Sequence, residues 1–253
     1  MEVKLLKYRD IPIYYAAKRE NLPIVVVLHG FTSNHMRQEE RTGIISKLYE
    51  NEFCVVTFDS VNHGTRDGAE ELLAKEGIEQ EKQLFEIVEK SAVELDEILK
   101  FIKKSKIGKC DRIGITGISM GGFIIFRAIG LTNEISAAVP MVASPYFHKF
   151  AEERLKKIDE INFENYKTDI EELKKIEPFN NKENYINKKI YIMTGEYDET
   201  VPEKFGRMGY EELKTMFDEK KIGGNIKYSS YQAGHCDNEE MIKDMIEWFK
   251  ETL

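Results

Sequence analysis

The chain has 253 residues, 42% of them apolar and 32% charged, with a formal net charge of −8; this composition excludes a disordered chain and allows one large buried core. The acidic balance opposes a nucleic-acid or anionic-membrane partner, because phosphate binding calls for a clustered positive surface. The longest uncharged stretch, Ile113 to Phe126, is too short to span a membrane, and charges interrupt the N-terminal MEVKLLKYRD where a secretion signal would be apolar, so a cytoplasmic location is expected.

Taken in chain order, Val3 to Tyr8 and Ile11 to Ala16 sit close around Arg9-Asp10 and predict a β-hairpin. Ile24 to His29 predicts the next strand, which runs into Gly30-Phe31, and a helix is expected over Arg37 to Tyr49. Phe53 to Phe58 predicts a further strand, followed by DSVNHGTRDG with the functional candidates Asp59, His63 and Arg66. Arg66 reads more simply as half of an exposed ion pair. A helix over Glu81 to Lys104 then leads to the stretch RIGITGISMGGFIIF.

There, a β-branched run (Arg112 to Thr116) and a predicted helix (Met120 to Gly130) meet at Ser119, with Gly117 and Gly121 two residues to either side. The glycines let strand and helix approach closely while the serine takes a strained turn conformation. Its hydroxyl is then exposed at a helix N-terminus, where unpaired N–H groups and the helix dipole favour developing negative charge. That is a nucleophile's environment, and such a hydroxyl needs a base oriented by a carboxylate.

Ala137 to Met141 predicts another strand, and Ser144 to Asn187 is charged, amphipathic and helical in spacing, carrying Tyr146, Phe147, Phe150, Leu155 and Ile170 among its apolar residues. The strand Lys189 to Thr194 runs into EYDETVP, where Asp198 competes with Glu196 and Glu199. After a helix over Glu203 to Glu219, the strand Ile226 to Tyr231 leads to Gly234-His235 and a last helix over Glu239 to Lys250. Strands alternating with helices predict an α/β fold with a mostly parallel sheet of eight strands, flanked by helices, in a single domain over residues 1–253. Cys54, Cys110 and Cys236 cannot all pair and form no C-x-x-C motif, so reduced thiols are expected.

The segment Gly117-Ile118-Ser119-Met120-Gly121 matches G-x-S-x-G, and the chain resembles the serine hydrolases of the α/β-hydrolase fold. Their chain order of Ser, then Asp or Glu, then His implies a catalytic triad of Ser119, Asp198 and His235. Asp198 stands in a G-x-x-D-x-x-V-P pattern with Gly195, Val201 and Pro202, and His235 is the histidine that follows both other residues. The resemblance implies oxyanion donors at the Met120 amide and, through the turn His29-Gly30-Phe31, at the Phe31 amide. It further likens Asp59, His63 and Gly64 to a D-x-x-x-H-G segment, which leaves His63 as a competitor for the base, and it makes residues 144–187 a helical cap over the site. Phe31, His63, Tyr146 and Phe147 are the candidate substrate-binding residues.

In pattern the chain is most similar to small bacterial carboxylesterases related to the prolyl-oligopeptidase and dienelactone-hydrolase groups. The latter characteristically use cysteine where this chain has Ser119, and the propeller of true prolyl oligopeptidases has no counterpart here. The implied function is cofactor-free hydrolysis of small-molecule esters with short to medium acyl chains. Thioester hydrolysis, acyl transfer and peptidase-like cleavage would use the same triad. A nicotinamide-dependent reductase is the contrasting reading, because TGISMGG partly imitates a nucleotide loop and Tyr185 and Lys189 have Y-x-x-x-K spacing; Phe123 stands at that loop's final glycine position. A non-catalytic binding protein on the same fold is the third. No H-E-x-x-H cluster or phosphate loop occurs, so no metal and no cofactor is expected.

Overall fold

A computed structural model describes residues 1–253. Its eight strands are β1 (Lys4–Tyr8), β2 (Ile11–Ala16), β3 (Pro23–Leu28), β4 (Cys54–Thr57), β5 (Lys109–Ile118), β6 (Ile135–Met141), β7 (Lys189–Gly195) and β8 (Ile226–Tyr231). They form one sheet in the order β1-β2-β4-β3-β5-β6-β7-β8. The β1–β2 and β2–β4 pairs are antiparallel and all later pairs parallel. The apolar run Ile24 to Leu28 is buried on both faces, as a strand inside a covered parallel sheet requires. Ile24, Val26 and Leu28 join one core cluster while Val25 and Val27 join the other, which is the strand's two-residue alternation resolved into two faces.

The first face is covered by α5 (Gln83–Ser105), α6 (Met120–Ile129) and α9 (Glu203–Glu219), the second by α2 (Ile44–Glu50) and α10 (Glu239–Thr252). The helix expected over Arg37 to Tyr49 is two helices. Gly43 adopts a left-handed φ of 63° and separates α1 (His35–Thr42) from α2. The short helices α3 (Ala69–Leu73) and α4 (Gly77–Glu81) had no sequence signal, since five residues cannot display a helical period. Between β6 and β7 lie α7 (Phe147–Ile158), α8 (Lys167–Leu173) and several 3₁₀ turns. No helix is long and apolar enough to cross a membrane.

Strand order positions the site. β4 lies on one side of β3 and β5 on the other, so the loops leaving the carboxyl ends of β3 and β5 diverge and open a crevice there.

Candidate active site

At the end of β5 the backbone turns sharply through Ser119, whose φ of 52° and ψ of −117° place a non-glycine residue in a strained region. The turn is held from both sides: the Ser119 N–H donates to the Met141 carbonyl at 2.9 Å, and the Phe123 N–H donates to the Ser119 carbonyl at 2.9 Å. Close approach makes the flanking glycines necessary. A Cβ on Gly121 would lie 2.6 Å from the Leu28 carbonyl oxygen, and one on Gly117 would lie 2.9 Å from the Gly121 carbonyl carbon. Every residue of α6 is buried, so the elbow is anchored in the core.

Asp198 follows β7 and is buried. Its Oδ1 accepts from the Thr200 and Val201 N–H groups at 2.9 and 2.8 Å, which leaves Oδ2 for the His235 Nδ1–H at 2.8 Å. Glu196 and Glu199, the rival carboxylates, are exposed. Because the carboxylate can only accept, His235 carries its proton on Nδ1, and Nε2 is free to accept from the Ser119 hydroxyl at 2.8 Å. The loops bearing Asp198 and His235 are zipped together by Glu196 N–H to the Tyr231 carbonyl and Tyr197 N–H to the Ala233 carbonyl, at 2.8 and 2.9 Å. The three residues that chain order links across 116 positions thus form one hydrogen-bonded line.

Gly30 lies against the elbow, a Cβ there coming within 3.8 Å of Ser119 Cβ, so the His29-Gly30-Phe31 turn borders the nucleophile. The N–H of Phe31 is engaged in no hydrogen bond, and that of Met120 is at the first position of α6. His29 is a brace and not a base: its Nδ1–H donates to the Gly30 carbonyl at 2.8 Å and Nε2 accepts from the Ser60 N–H at 3.0 Å. Burial pushes its pKa down to about 4, so it is neutral. His63 is held likewise, donating from Nδ1 to the Val61 carbonyl at 2.8 Å and accepting the Thr32 N–H on Nε2 at 3.0 Å. Burial lowers its pKa too.

A cavity of about 190 Å³ opens above Ser119, lined by Phe31, Phe123, Phe150, Thr200 and His235 among others. Of the four candidate substrate contacts, only Phe31 faces it. His63 is buried beneath the Phe31 turn with both ring nitrogens occupied. Tyr146 turns away to hydrogen-bond Glu212 at 2.7 Å. Phe147 is fully buried among Phe85 and Phe123, because α7 begins there and points its first apolar face into the core. Arg66 forms a bidentate pair with Glu94 at 2.5 and 2.8 Å. Tyr185 is completely buried with its hydroxyl donating to the Phe126 carbonyl, and Lys189 opens β7 at the end of the strand away from Asp198, so the pair expected of a reductase does not meet the glycine turn. No group of three or more His, Cys, Asp or Glu side chains converges as a metal site.

A further constellation had no sequence signal. Asp237, two residues beyond His235, has a fully buried carboxylate that accepts from Gln38 and, at 2.8 Å, from Arg41 Nη2, tying the histidine loop to α1. Burial raises its pKa, and Arg41 opposes that rise. Gln38 and Arg41 also reach the wall of the cavity.

Residues 23–176, more than half of the chain, match the family model of the alpha/beta hydrolase fold. The chain belongs to that family. Over 96% of both chains it is 25% identical to YitV of Bacillus subtilis (strain 168), a protein provisionally named an esterase. Among solved structures it is similar to TT1662 from Thermus thermophilus, with a TM-score of 0.75 and 14% identity over 99% of this chain and 98% of that one. It is also similar to the Pyrococcus furiosus esterase PF2001, with a TM-score of 0.71 and 21% identity over 99% of this chain and 91% of that one. Those two likenesses show the α/β-hydrolase fold.

Proposed function

We propose that this α/β hydrolase is a carboxylesterase-type serine hydrolase acting on small-molecule esters through an acyl-enzyme. The observation that carries the reading is the unbroken line from Ser119 Oγ to His235 Nε2 and from His235 Nδ1 to Asp198 Oδ2, each step 2.8 Å. As Ser119 Oγ attacks the ester carbonyl, its proton passes to His235 Nε2, and Asp198 stabilises the imidazolium without taking the proton itself. Negative charge builds on the carbonyl oxygen, where the Phe31 and Met120 N–H groups donate, each worth about 3 kcal/mol in the transition state. His235 then protonates the departing alkoxide. Water, deprotonated by the same nitrogen, attacks the acyl-enzyme and restores the serine. Residues 144–187 act as a cap, since Phe150 and Arg154 of α7 close one wall of the cavity. The esterase name of the Bacillus relative, which matches over nearly the whole chain, favours ester hydrolysis on this triad. A cytoplasmic setting and a neutral, cofactor-free reaction fit the reading.

Initial rates on p-nitrophenyl esters test it. Wild type turns them over, and Ser119→Ala loses at least about 10⁴-fold in kcat. Hydrolysis retained by Ser119→Ala overturns the mechanism, and failure of a fluorophosphonate to label Ser119 overturns the nucleophile assignment.

A further inference from the structure

The cavity above Ser119 is not a single chamber. It shares Glu81, Leu84, Phe150 and Arg154 with a second cavity of about 100 Å³ between α5, α7 and α8, where Phe85, Ala151, Leu155, Ile170 and Leu173 supply an apolar lining. In another direction it shares Phe150, Arg154 and Thr200 with an opening of about 260 Å³ whose further walls include Glu153, Lys157 and Glu199. One branch is mainly apolar, with the exposed Lys82 and Asp169 also on its wall; the other is charged and lies on the side of Thr200, next to the Asp198 loop.

Arg154 stands where the branches part. Its Nη2 donates to Glu81 Oε1 at 2.6 Å and its Nε to Glu81 Oε2 at 3.3 Å, joining α7 to the last residue of α4. Both side chains are about one quarter exposed, at 25% and 22%. A charged pair on the shared wall of two cavities is an obstacle to an alkyl chain, which gains nothing from passing a guanidinium and carboxylate and gains roughly fourfold in binding per methylene buried beyond them.

Resting on the hydrolase reading above, we propose that the apolar chamber holds the distal end of the acyl chain and that the Arg154–Glu81 pair is the specificity threshold the chain must pass. The side of the serine on which each half of the ester lies follows from the proton. The leaving oxygen must face His235, so the alcohol departs along the Thr200 branch and the acyl chain runs the other way, past Phe123 and Leu84, toward Leu173. The substrate class is therefore a medium-chain acyl ester with a polar alcohol.

The test is the ratio of kcat/KM for p-nitrophenyl octanoate to that for p-nitrophenyl acetate. Leu173, partly buried on α8, lines the apolar chamber and not the cavity at Ser119. Leu173→Trp fills that space and lowers the ratio by about tenfold, while Leu173→Ala enlarges it and raises the ratio. The Glu81→Leu/Arg154→Leu double variant removes the threshold without leaving a lone charge and raises the ratio about fourfold. A ratio within about twofold of wild type in both Leu173 variants overturns the chamber's role, and an unchanged ratio in the double variant overturns the threshold. If wild type shows no Ser119-dependent turnover of either ester, the hydrolase reading itself fails.

Discussion

The two walls of the cavity are built by different means. On the strand side, main-chain groups hold the serine and the acid: the Ser119 N–H donates to Met141, two amides donate to the Asp198 carboxylate, and Tyr197 N–H donates to Ala233 across the adjoining loops, while the His235 ring is held by Asp198. On the cap side, side-chain pairs hold the helices, among them Arg154 with Glu81, Lys204 with Glu153 and Tyr166 with Asp159. Main-chain bonds between sheet-anchored segments tolerate no drift, whereas half-exposed ion pairs are weak and exchangeable. The chemistry therefore rests on the rigid wall. Selectivity rests on the wall that substitution can reshape without disturbing the sheet.

One glycine at the elbow and one in α4, whose Glu81 pairs with the cap, break or support that contrast, and the difference between them is the largest effect expected. Gly121→Ala forces a methyl group to within 2.6 Å of the Leu28 carbonyl and 3.0 Å of the His29 carbonyl, both backbone atoms of the crevice. The variant loses about 3 kcal/mol in chemical denaturation and most of its esterase activity, because the elbow and the His29-Gly30-Phe31 turn are pushed apart. Gly77, at the start of α4, has a φ of 54° and open space around its would-be Cβ. Gly77→Ala costs only about 1 kcal/mol of backbone strain and leaves acetate turnover in place. Equal losses in the two variants would mean that the cap side is as rigid as the strand side.

What could be read in the sequence divides along the same line. The strands, the elbow at Ser119 and the loops carrying Asp198 and His235 were legible because each is a local pattern: a β-branched run, a glycine spacing, a turn before a helix. On the cap side only the helical, amphipathic character of residues 144–187 was legible, and the pairs that hold it were not. Glu81 and Arg154 are 73 residues apart, so no window of sequence contains the pair; on the rigid side the same holds for Gln38 and Asp237, 199 apart. Tyr146 and Phe147, expected as substrate contacts, lie off the cavity above Ser119 for a related reason. Their position just after β6 points to the crevice, but their orientation depends on Glu212 and Phe85, which approach from remote segments.

His63 sharpens the comparison from the rigid side. Its Nε2 accepts the Thr32 N–H at 3.0 Å, one residue past Phe31, the proposed oxyanion donor, and its ring lies 5.6 Å from the Phe31 ring. It does not line the cavity above Ser119, and on the proposed mechanism it acts as a positioning residue. His63→Ala leaves the Thr32 amide without its acceptor and loosens the turn, lowering kcat about tenfold with KM nearly unchanged. The distinguishing readout is the split: a merely structural loss would lower the fraction of active enzyme, and fluorophosphonate titration of Ser119 would detect that as fewer labelled sites. Slower turnover with full labelling is the outcome expected.

His29 gives the smallest effect and reports on the same wall through pH. Burial is the chief cause that takes its imidazole from the ordinary 6.5 to about 4, with the Gly30 carbonyl pulling the other way. Below pH 6.5 the unfolded chain takes up a proton that the folded protein refuses until about pH 4. Stability is thus full above that window and is lost as the pH falls through it. The full loss approaches about 3 kcal/mol, of which roughly 1 kcal/mol is felt between pH 7 and 5.5. Unfolding free energies from urea titrations at those two pH values differ by that amount in wild type and by less in His29→Asn, which cannot take the proton. If the two proteins lose stability equally over this range, His29 is not the group refusing the proton. The acid sensitivity would then belong to buried His63, whose pKa burial lowers in the same direction, and the double variant His29→Asn/His63→Asn would separate the two.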